Sequence, residues 1–365
     1  MKPIRAIKGV RPLFFRGDTL YCARYNRILA TQDLGATFTE LGALDVGGRF
    51  KPVADMSALA RRVLRMAVYR LRIADNGNIV CIFKGGLYLI APGETRGRCV
   101  LPITRGSRPV SLAARPGGLI VFGEYFSNPE RGPIDIVGSD DCGATWKTVY
   151  RFPAGAIRHV HGLAYDAFDD CFWIATGDYG DEARLLRADP QFQNVETVLC
   201  GGQINRFYSI VATADAVFVA NDSPNADNYI RRFDKRSGET RNLARIENSS
   251  FYSCMVGDTY VCSTNAEPPE PSVERTWSAP NDFSASYVWM SPAAGEARRA
   301  MRFPADVWHK IGRAPFLPPG LFQYPRVFFP EGDNPSGKLV CYATGLKGVD
   351  DHMLVYDAER LGTGS

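Results

Sequence analysis

The residues Ser139 to Trp146, SDDCGATW, stand between two short apolar runs, IDIVG and KTVYRF. A stretch of this kind commits the chain to a tight hairpin. The Asp141 carboxylate can accept turn N–H groups, Gly143 permits positive φ, and Trp146 returns as a large packing residue on the next strand. A weaker copy, TQDLGATF, runs from Thr31 to Phe38. Two copies in one chain argue for repeated hairpins, and so for a repeat architecture.

Short alternating or apolar runs bounded by Gly, Asn, Asp and Pro occupy nearly the whole sequence, and almost no convincing helix interrupts them. The expected class is all-β. The first unit reads VRPLFF, DTLYCARY, RILATQ and ATFTEL, from Val10 to Leu41, and the second runs from Val68 to Ile103. Further units open at Arg108, Arg158, Arg206, Phe251 and Tyr324. Their spacing predicts a seven-bladed β-propeller of four-stranded antiparallel blades, with six blades as the alternative. A single domain then takes in residues 1–365. The last unit runs out before a full outer strand, so Pro3 to Lys8 is expected to complete it and remove an open edge. Two Pro-rich, aromatic insertions, 267–284 and 303–322, break the rhythm. They have the composition of ordered functional loops, or of surface decoration.

A chain with 45% hydrophobic residues can bury a large core. The formal net charge of +4 comes from 43 basic and 39 acidic residues spread along it. The densest basic stretch, Arg61 to Arg72 (RRVLRMAVYRLR), reads as a linker plus the start of a strand, so no nucleic-acid partner is expected. Nine cysteines without a CxxC pair lie mostly in apolar runs, which suits reduced, buried thiols and a cytoplasmic protein. No apolar core of a secretory signal follows the N-terminus and no run approaches a membrane span, so no membrane partner is expected. Oligomeric state is not legible.

In a propeller the innermost strands start on the face where the second strands end, and the third-to-fourth turns occupy the opposite rim. The inner strands start at or next to Arg11, Arg70, Arg108, Arg158, Arg206 and Arg326. Second strands end at Glu124 and Tyr125, at Asp178 and Tyr179, at Asn221 and Asp222, and at Asn265 and Glu267. Trp277 and His309 belong to the two insertions on the same face. The result is a funnel mouth lined by guanidiniums, carboxylates and rings. Arginine forks bind carboxylates bidentately, so an anionic ligand is expected. The alternative is that each arginine ties down a neighbouring blade through the nearby acids.

Within that mouth Arg158, His159 and His161 stand with Glu124 and Asp178. The two histidines are two apart on a strand and project to one side. A histidine can act as general base or acid, with a carboxylate setting its tautomer. HxH with acids also supplies ligands for a divalent metal such as zinc or manganese, although no cofactor is required. Plain inter-blade hydrogen bonding is a third reading. Tyr208 and Tyr252 hold equivalent places in consecutive units, where a phenol can donate a proton, stack on a sugar ring or simply pack.

The stretches at 31–38 and 139–146 resemble the Asp boxes of the sialidase-like (BNR-repeat) propeller superfamily. That resemblance implies carbohydrate handling. Sialidases use an arginine triad on the substrate carboxylate, a tyrosine and glutamate pair as nucleophile, and an aspartate acid. Arg11, followed by Pro12, is similar to their first arginine motif, whereas no tyrosine and glutamate pair can be assigned, and seven units differ from their six. The expected function is a carbohydrate-active enzyme on an acidic, carboxylate-bearing oligo- or polysaccharide. It would be a glycoside hydrolase with paired carboxylates such as Glu124 and Asp178, or a polysaccharide lyase with His159 or His161 as base and a tyrosine as acid. A noncatalytic glycan-binding or protein-interaction propeller is the alternative.

Overall fold

A computed structural model of the chain describes residues 2–47, 57–106, 108–269, 274–279, 281–293, 295–314 and 316–362. After an isolated first strand, β1 (Arg5–Lys8), the chain forms one antiparallel meander after another. The first is β2 (Arg11–Arg16), β3 (Thr19–Arg24), β4 (Arg27–Thr31) and β5 (Thr39–Leu44). The second is β6 (Arg70–Ile73), β7 (Ile79–Phe83), β8 (Gly86–Ile90) and β9 (Arg96–Pro102). The third is β10 (Ala113–Ala114), β11 (Ile120–Gly123), β12 (Ile134–Ser139) and β13 (Lys147–Phe152). Then come β14 (Val160–Asp166), β15 (Cys171–Thr176), β16 (Arg184–Ala188) and β17 (Val195–Cys200). The fifth is β18 (Phe207–Ala212), β19 (Ala216–Asn221), β20 (Asn228–Asp234) and β21 (Thr240–Ile246). The sixth is β22 (Ser250–Val256), β23 (Thr259–Thr264), β24 (Ala285–Pro292) and β25 (Arg298–Pro304). Last are β26 (Arg326–Phe328), β27 (Lys338–Thr344) and β28 (His352–Asp357), to which β1 adds the outer strand, pairing Arg5 with Val355 and Lys8 with His352.

Among the described residues there are five four-stranded sheets and one of eight strands. The large sheet is the first two meanders joined by a short parallel contact, Ala43 to Arg96 and Leu44 to Gly97. Gly97 lets the strands meet, since a Cβ there would stand 2.7 Å from Ile90 and 2.9 Å from Leu44. First strands of successive sheets lie side by side, β2 with β6, β10 with β14, and β14, β18, β22 and β26 in turn, while β2 also meets β27 and β28. The fold is all-β and propeller-like. Sheets covered on both faces explain why second strands such as IVCIF (β7), CFWIAT (β15) and AVFVAN (β19) are buried throughout, whereas outer strands such as β17 carry exposed positions.

Four first strands bulge close to their start. Register slips between Pro12 and Phe14, Val160 and Gly162, Phe207 and Ser209, and Ser250 and Tyr252. A bulge turns one side chain out of the pleat, and two of the residues it re-aims are His161 and Tyr208.

The two sequence copies fold into matching turns. Asp141 accepts hydrogen bonds from Thr145 N and Ser139 Oγ at 2.8 and 2.7 Å, and Gly143 N donates to Ser139 Oγ at 2.8 Å. Asp33 accepts from Thr37 N and Thr31 Oγ1 at 3.0 and 2.8 Å, and Gly35 N donates to Thr31 Oγ1 at 2.8 Å. The glycines have φ +90° and +88°, and both face neighbouring sheets: a Cβ on Gly143 would strike Val80, and one on Gly35 would strike Ile7 and Met353. Hydrogen bonds from Thr145 hold the Asp141 carboxyl down at about 2 against a small opposing effect of burial.

Helices enter where strand or loop is expected. The basic stretch from Arg61 begins inside α1 (Ala58–Leu64), not in a linker. Ser57 Oγ caps it by accepting from Ala60 N at 3.2 Å, and Arg65 ends it at φ 56°. What fixes so short a helix is tertiary: buried Arg62 pairs with Asp306 and donates to the Phe322 and Gln323 carbonyls. The insertion expected from Phe303 begins two residues later, because β25 runs through Pro304, and it opens with α2 (Val307–Ile311), capped by Asp306. A short helix, α3 (Ala358–Gly362), follows β28. Residues 270–273 and 280 of the first insertion and 315 of the second lie outside the described residues. All nine cysteines are free, six of them buried, and among the described residues no helix is long and apolar enough to cross a membrane.

Candidate active site

Three phenols from three different sheets meet at the starts of the first strands. The Tyr69 hydroxyl oxygen lies 3.2 Å from that of Tyr208 and 2.6 Å from that of Tyr252, and all three side chains are buried. Guanidiniums surround them. Arg108 stacks on the Tyr69 ring at 4.1 Å and Arg70 at 4.7 Å; Arg11 lies 4.0 Å above the Phe328 ring, and Arg326 is 6.0 Å from it.

The arginines divide by partner. Arg70 is ion-paired with Glu331 at 3.1 Å, and Glu331 also takes Arg72. Arg11, Arg108 and Arg326 form no ion pair with a described carboxylate; they lie against aromatic faces. Arg11 is 8% exposed, yet its Nε–H has no acceptor. Burial pulls its guanidinium down to about 10, a price that an arriving anion would remove.

This concentration of positive charge acts on the phenols. Burial alone raises Tyr69, but Arg70, Arg108 and hydrogen bonds from Tyr208 and Tyr252 outweigh it and bring Tyr69 from its ordinary 10 to about 7. Burial, and then repulsion by an ionised Tyr69, drive Tyr208 and Tyr252 upward, so these two keep their protons. One of three hydroxyls is therefore a base near neutrality and two are donors.

The histidine cluster lies beside the phenols, with the His161 ring 5.9 Å from the Tyr208 ring. His159 and His161 are buried, as is Asp178. Asp178 Oδ2 takes Arg158 at 2.8 Å, and Oδ1 takes Arg206 and His161, each at 3.1 Å. Burial raises Asp178, but the two histidines and Arg206 overcome it and hold the carboxyl well below the usual range. Burial lowers His161 to about 4 despite Asp178. Arg206 also reaches Asp222 at 3.6 Å. Burial, only partly offset by Arg206 and reinforced by Glu267, lifts Asp222 to about 8. Tyr125 packs on His159 with ring centroids 4.3 Å apart.

The predicted site residues thus fall into two adjoining groups. Arg11, Arg70, Arg108, Arg326, Tyr208 and Tyr252 share the phenol cluster, while Arg158, His159, His161, Asp178, Arg206, Asp222 and Tyr125 share the histidine cluster. Glu267 lies in the electrostatic surroundings of Asp222 and Arg326. Three others are placed elsewhere. The Glu124 carboxylate turns to Arg105 at 2.9 Å and to Asp135 N at 2.8 Å, not to the histidines. Trp277 packs on Phe283 and Arg275 within its own insertion. His309 is buried and meets the Phe283 carbonyl through Nε2 at 2.9 Å, tying one insertion to the other. Tyr69 and Glu331 are the residues that sequence reasoning missed. For Tyr69 a signal existed: an apolar residue followed by Tyr recurs as Val68–Tyr69, Phe207–Tyr208 and Phe251–Tyr252.

The fold and its ordered first strands define a β-propeller-like protein. No family model matches the chain, and no curated protein matches it in sequence. Among solved structures it is similar to a chain of the mitotic checkpoint complex, with TM-score 0.55 and 11% identity over 98% of this chain and 92% of that one. It is also similar to the GH74 enzyme of Niastella koreensis, with TM-score 0.52 and 12% identity over 82% of this chain and 46% of that one. The extracellular domain of a hybrid two-component system from B. thetaiotaomicron gives TM-score 0.52 and 9% identity over 96% and 39%. This chain spans less than half the length of the last two. At such identities the likeness is one of fold.

Proposed function

We propose that the chain is a carbohydrate-active enzyme of the sialidase-like, Asp-box kind, a single ring of seven four-stranded blades over residues 1–365, and that it cleaves a uronate-containing glycan by β-elimination. The observation that carries this is the convergence of Arg11, Arg108 and Arg326, which form no ion pair with a described carboxylate, on the Tyr69, Tyr208 and Tyr252 hydroxyls. The three guanidiniums suit a sugar carboxylate, neutralising it and making the adjacent C5 proton acidic. Tyr69, as phenolate, takes that proton. The C5–H electron pair becomes the C4–C5 double bond, the C4–O bond breaks with its pair on oxygen, and Tyr252 or Tyr208 delivers a proton to that oxygen.

This reading moves the base from the histidines to Tyr69. It is preferred over hydrolysis because the paired carboxylates that hydrolysis needs are engaged, Glu124 with Arg105 and Asp178 with Arg158 and Arg206. The similar GH74 fold agrees with carbohydrate chemistry on such a scaffold without specifying it. Incubation with uronate-rich polysaccharides should raise the ultraviolet absorbance of unsaturated uronate, and Tyr69→Phe should abolish the rise. Release of reducing ends without that absorbance would return the reading to a hydrolase; silence in both assays would leave a binding module.

A further inference from the structure

The histidine pair presents a lone-pair problem that its hydrogen bonds expose. His159 Nδ1 faces the Phe126 carbonyl at 2.9 Å, and His161 Nδ1 faces the Phe207 carbonyl at 3.1 Å. A carbonyl oxygen only accepts, so both Nδ1 atoms carry hydrogen and both neutral rings offer a bare lone pair at Nε2. Those two Nε2 atoms point at each other across 2.8 Å. Asp178 adds its own lone pairs, with Oδ1 at 3.1 Å from His161 Nε2 and Oδ2 at 3.5 Å from His159 Nε2. Two imidazole lone pairs and a carboxylate thus converge, in a pocket where each residue is 5% exposed or less, and the donors that reach the cluster, Arg158 and Arg206, are engaged with the carboxylate and not with the two nitrogens. Such a knot is repulsive unless a cation lies in it.

We infer that His159 Nε2, His161 Nε2 and the Asp178 carboxylate form a binding site for one divalent transition-metal ion of the zinc type. Imidazole and carboxylate are the ligand set such ions prefer, and three protein ligands leave a fourth position open. The Nδ1–H to carbonyl bonds are the outer partners that metal-bound histidines use to fix tautomer and ring orientation. They arise from the fold: one carbonyl follows β11 and the other starts β18, so two neighbouring sheets hold the rings from opposite sides. A bulge at His161 brings it against His159. An ion about 2.0–2.1 Å from each nitrogen needs the two to part by about half an ångström. Arg158 and Arg206 share the Asp178 carboxylate and temper its charge, which favours a site completed by an anion in the fourth position.

The competing occupant is a single proton shared by the two nitrogens, and metal uptake separates the two. Full-length protein stripped with a chelator would be titrated with Zn²⁺ alone by calorimetry, and with Co²⁺ by visible absorption. The expected results are one ion per chain, a tetrahedral or five-coordinate cobalt spectrum, and a rise in melting temperature with zinc. His161→Gln and Asp178→Asn should weaken binding by more than the about 10–100-fold that loss of an outer partner costs. Absence of zinc binding and of a cobalt spectrum in folded wild-type protein would overturn the site, as would binding that survives His161→Gln. Should either variant fail to fold, the wild-type cobalt spectrum still decides.

Discussion

The Tyr69 and Tyr252 hydroxyl oxygens lie 2.6 Å apart although the two residues belong to different sheets, and the same Tyr69 oxygen also reaches Tyr208 at 3.2 Å. With Arg70 and Arg108 against its ring, Tyr69 is the one phenol of the three for which ionisation relieves the site. The others then act as its donors.

Activity should therefore rise with pH through about 7 as Tyr69 ionises. A kcat/KM profile on an acidic oligosaccharide, with a parallel titration of the tyrosinate ultraviolet band, checks this. Stability follows the same group. Its native value lies below the ordinary 10, so between about 7 and 10 the unfolded chain binds more protons and unfolding free energy climbs with pH. Tyr69→Phe should remove both the activity and that slope.

Arg108→Ala should weaken binding of a carboxylate-bearing oligosaccharide about 10- to 100-fold, the worth of a hydrogen bond to a charged group. A neutral oligosaccharide of equal length should be unaffected, and Arg11→Ala should behave alike. Arg151→Ala, which removes a surface arginine paired with Asp135, serves as control and should change nothing. Equilibrium binding of charged and neutral ligands is the measurement; equal losses for both would end the carboxylate reading.

The turns at Asp33 and Asp141 should matter to stability alone. Asp141→Ala removes acceptors for Thr145 and Ser139, at about 1 kcal/mol. Gly143→Ala forces a Cβ into Val80 on the neighbouring sheet at a positive φ, and should lower stability by about 1–3 kcal/mol. Denaturant melts would show the losses, with kcat unchanged in the folded fraction.

Arg62→Ala should be among the costlier single changes, about 3–5 kcal/mol, because it strands Asp306 and frees helix α1 from the second insertion. Denaturant unfolding would measure the loss. Hydrogen exchange should show protection falling at both 58–64 and 306–323 together.

Much of this architecture is legible in the sequence because it repeats. Runs such as NIVCIF and CFWIAT are second strands, SDDCGATW closes a tight hairpin, and Arg11, Arg70 and Arg326 begin first strands. Other features resist reading because their cause is not local. Helix α1 lacks a periodic apolar face and exists through Arg62 and Asp306, far apart in sequence. Glu124, at the end of a strand that looked catalytic, is captured by Arg105 from the preceding loop. Tyr69 was hidden by its neighbour: Arg70 drew attention to the position, while the phenol's acidity depends on residues from other sheets. The bulges that aim His161 and Tyr208 are invisible in a pattern of alternation.

The pairing of β1 with β28 sets a timetable for biosynthesis. Arg5–Lys8 leaves the ribosome long before His352–Val355 exists to receive it, so the nascent protein carries β1 unpaired until β28 has been made. Each meander can form as it emerges, but β1 finds its place only once β28 has been made, and until the two pair the last sheet presents a bare edge to other chains. Chaperone dependence should be concentrated in that late interval.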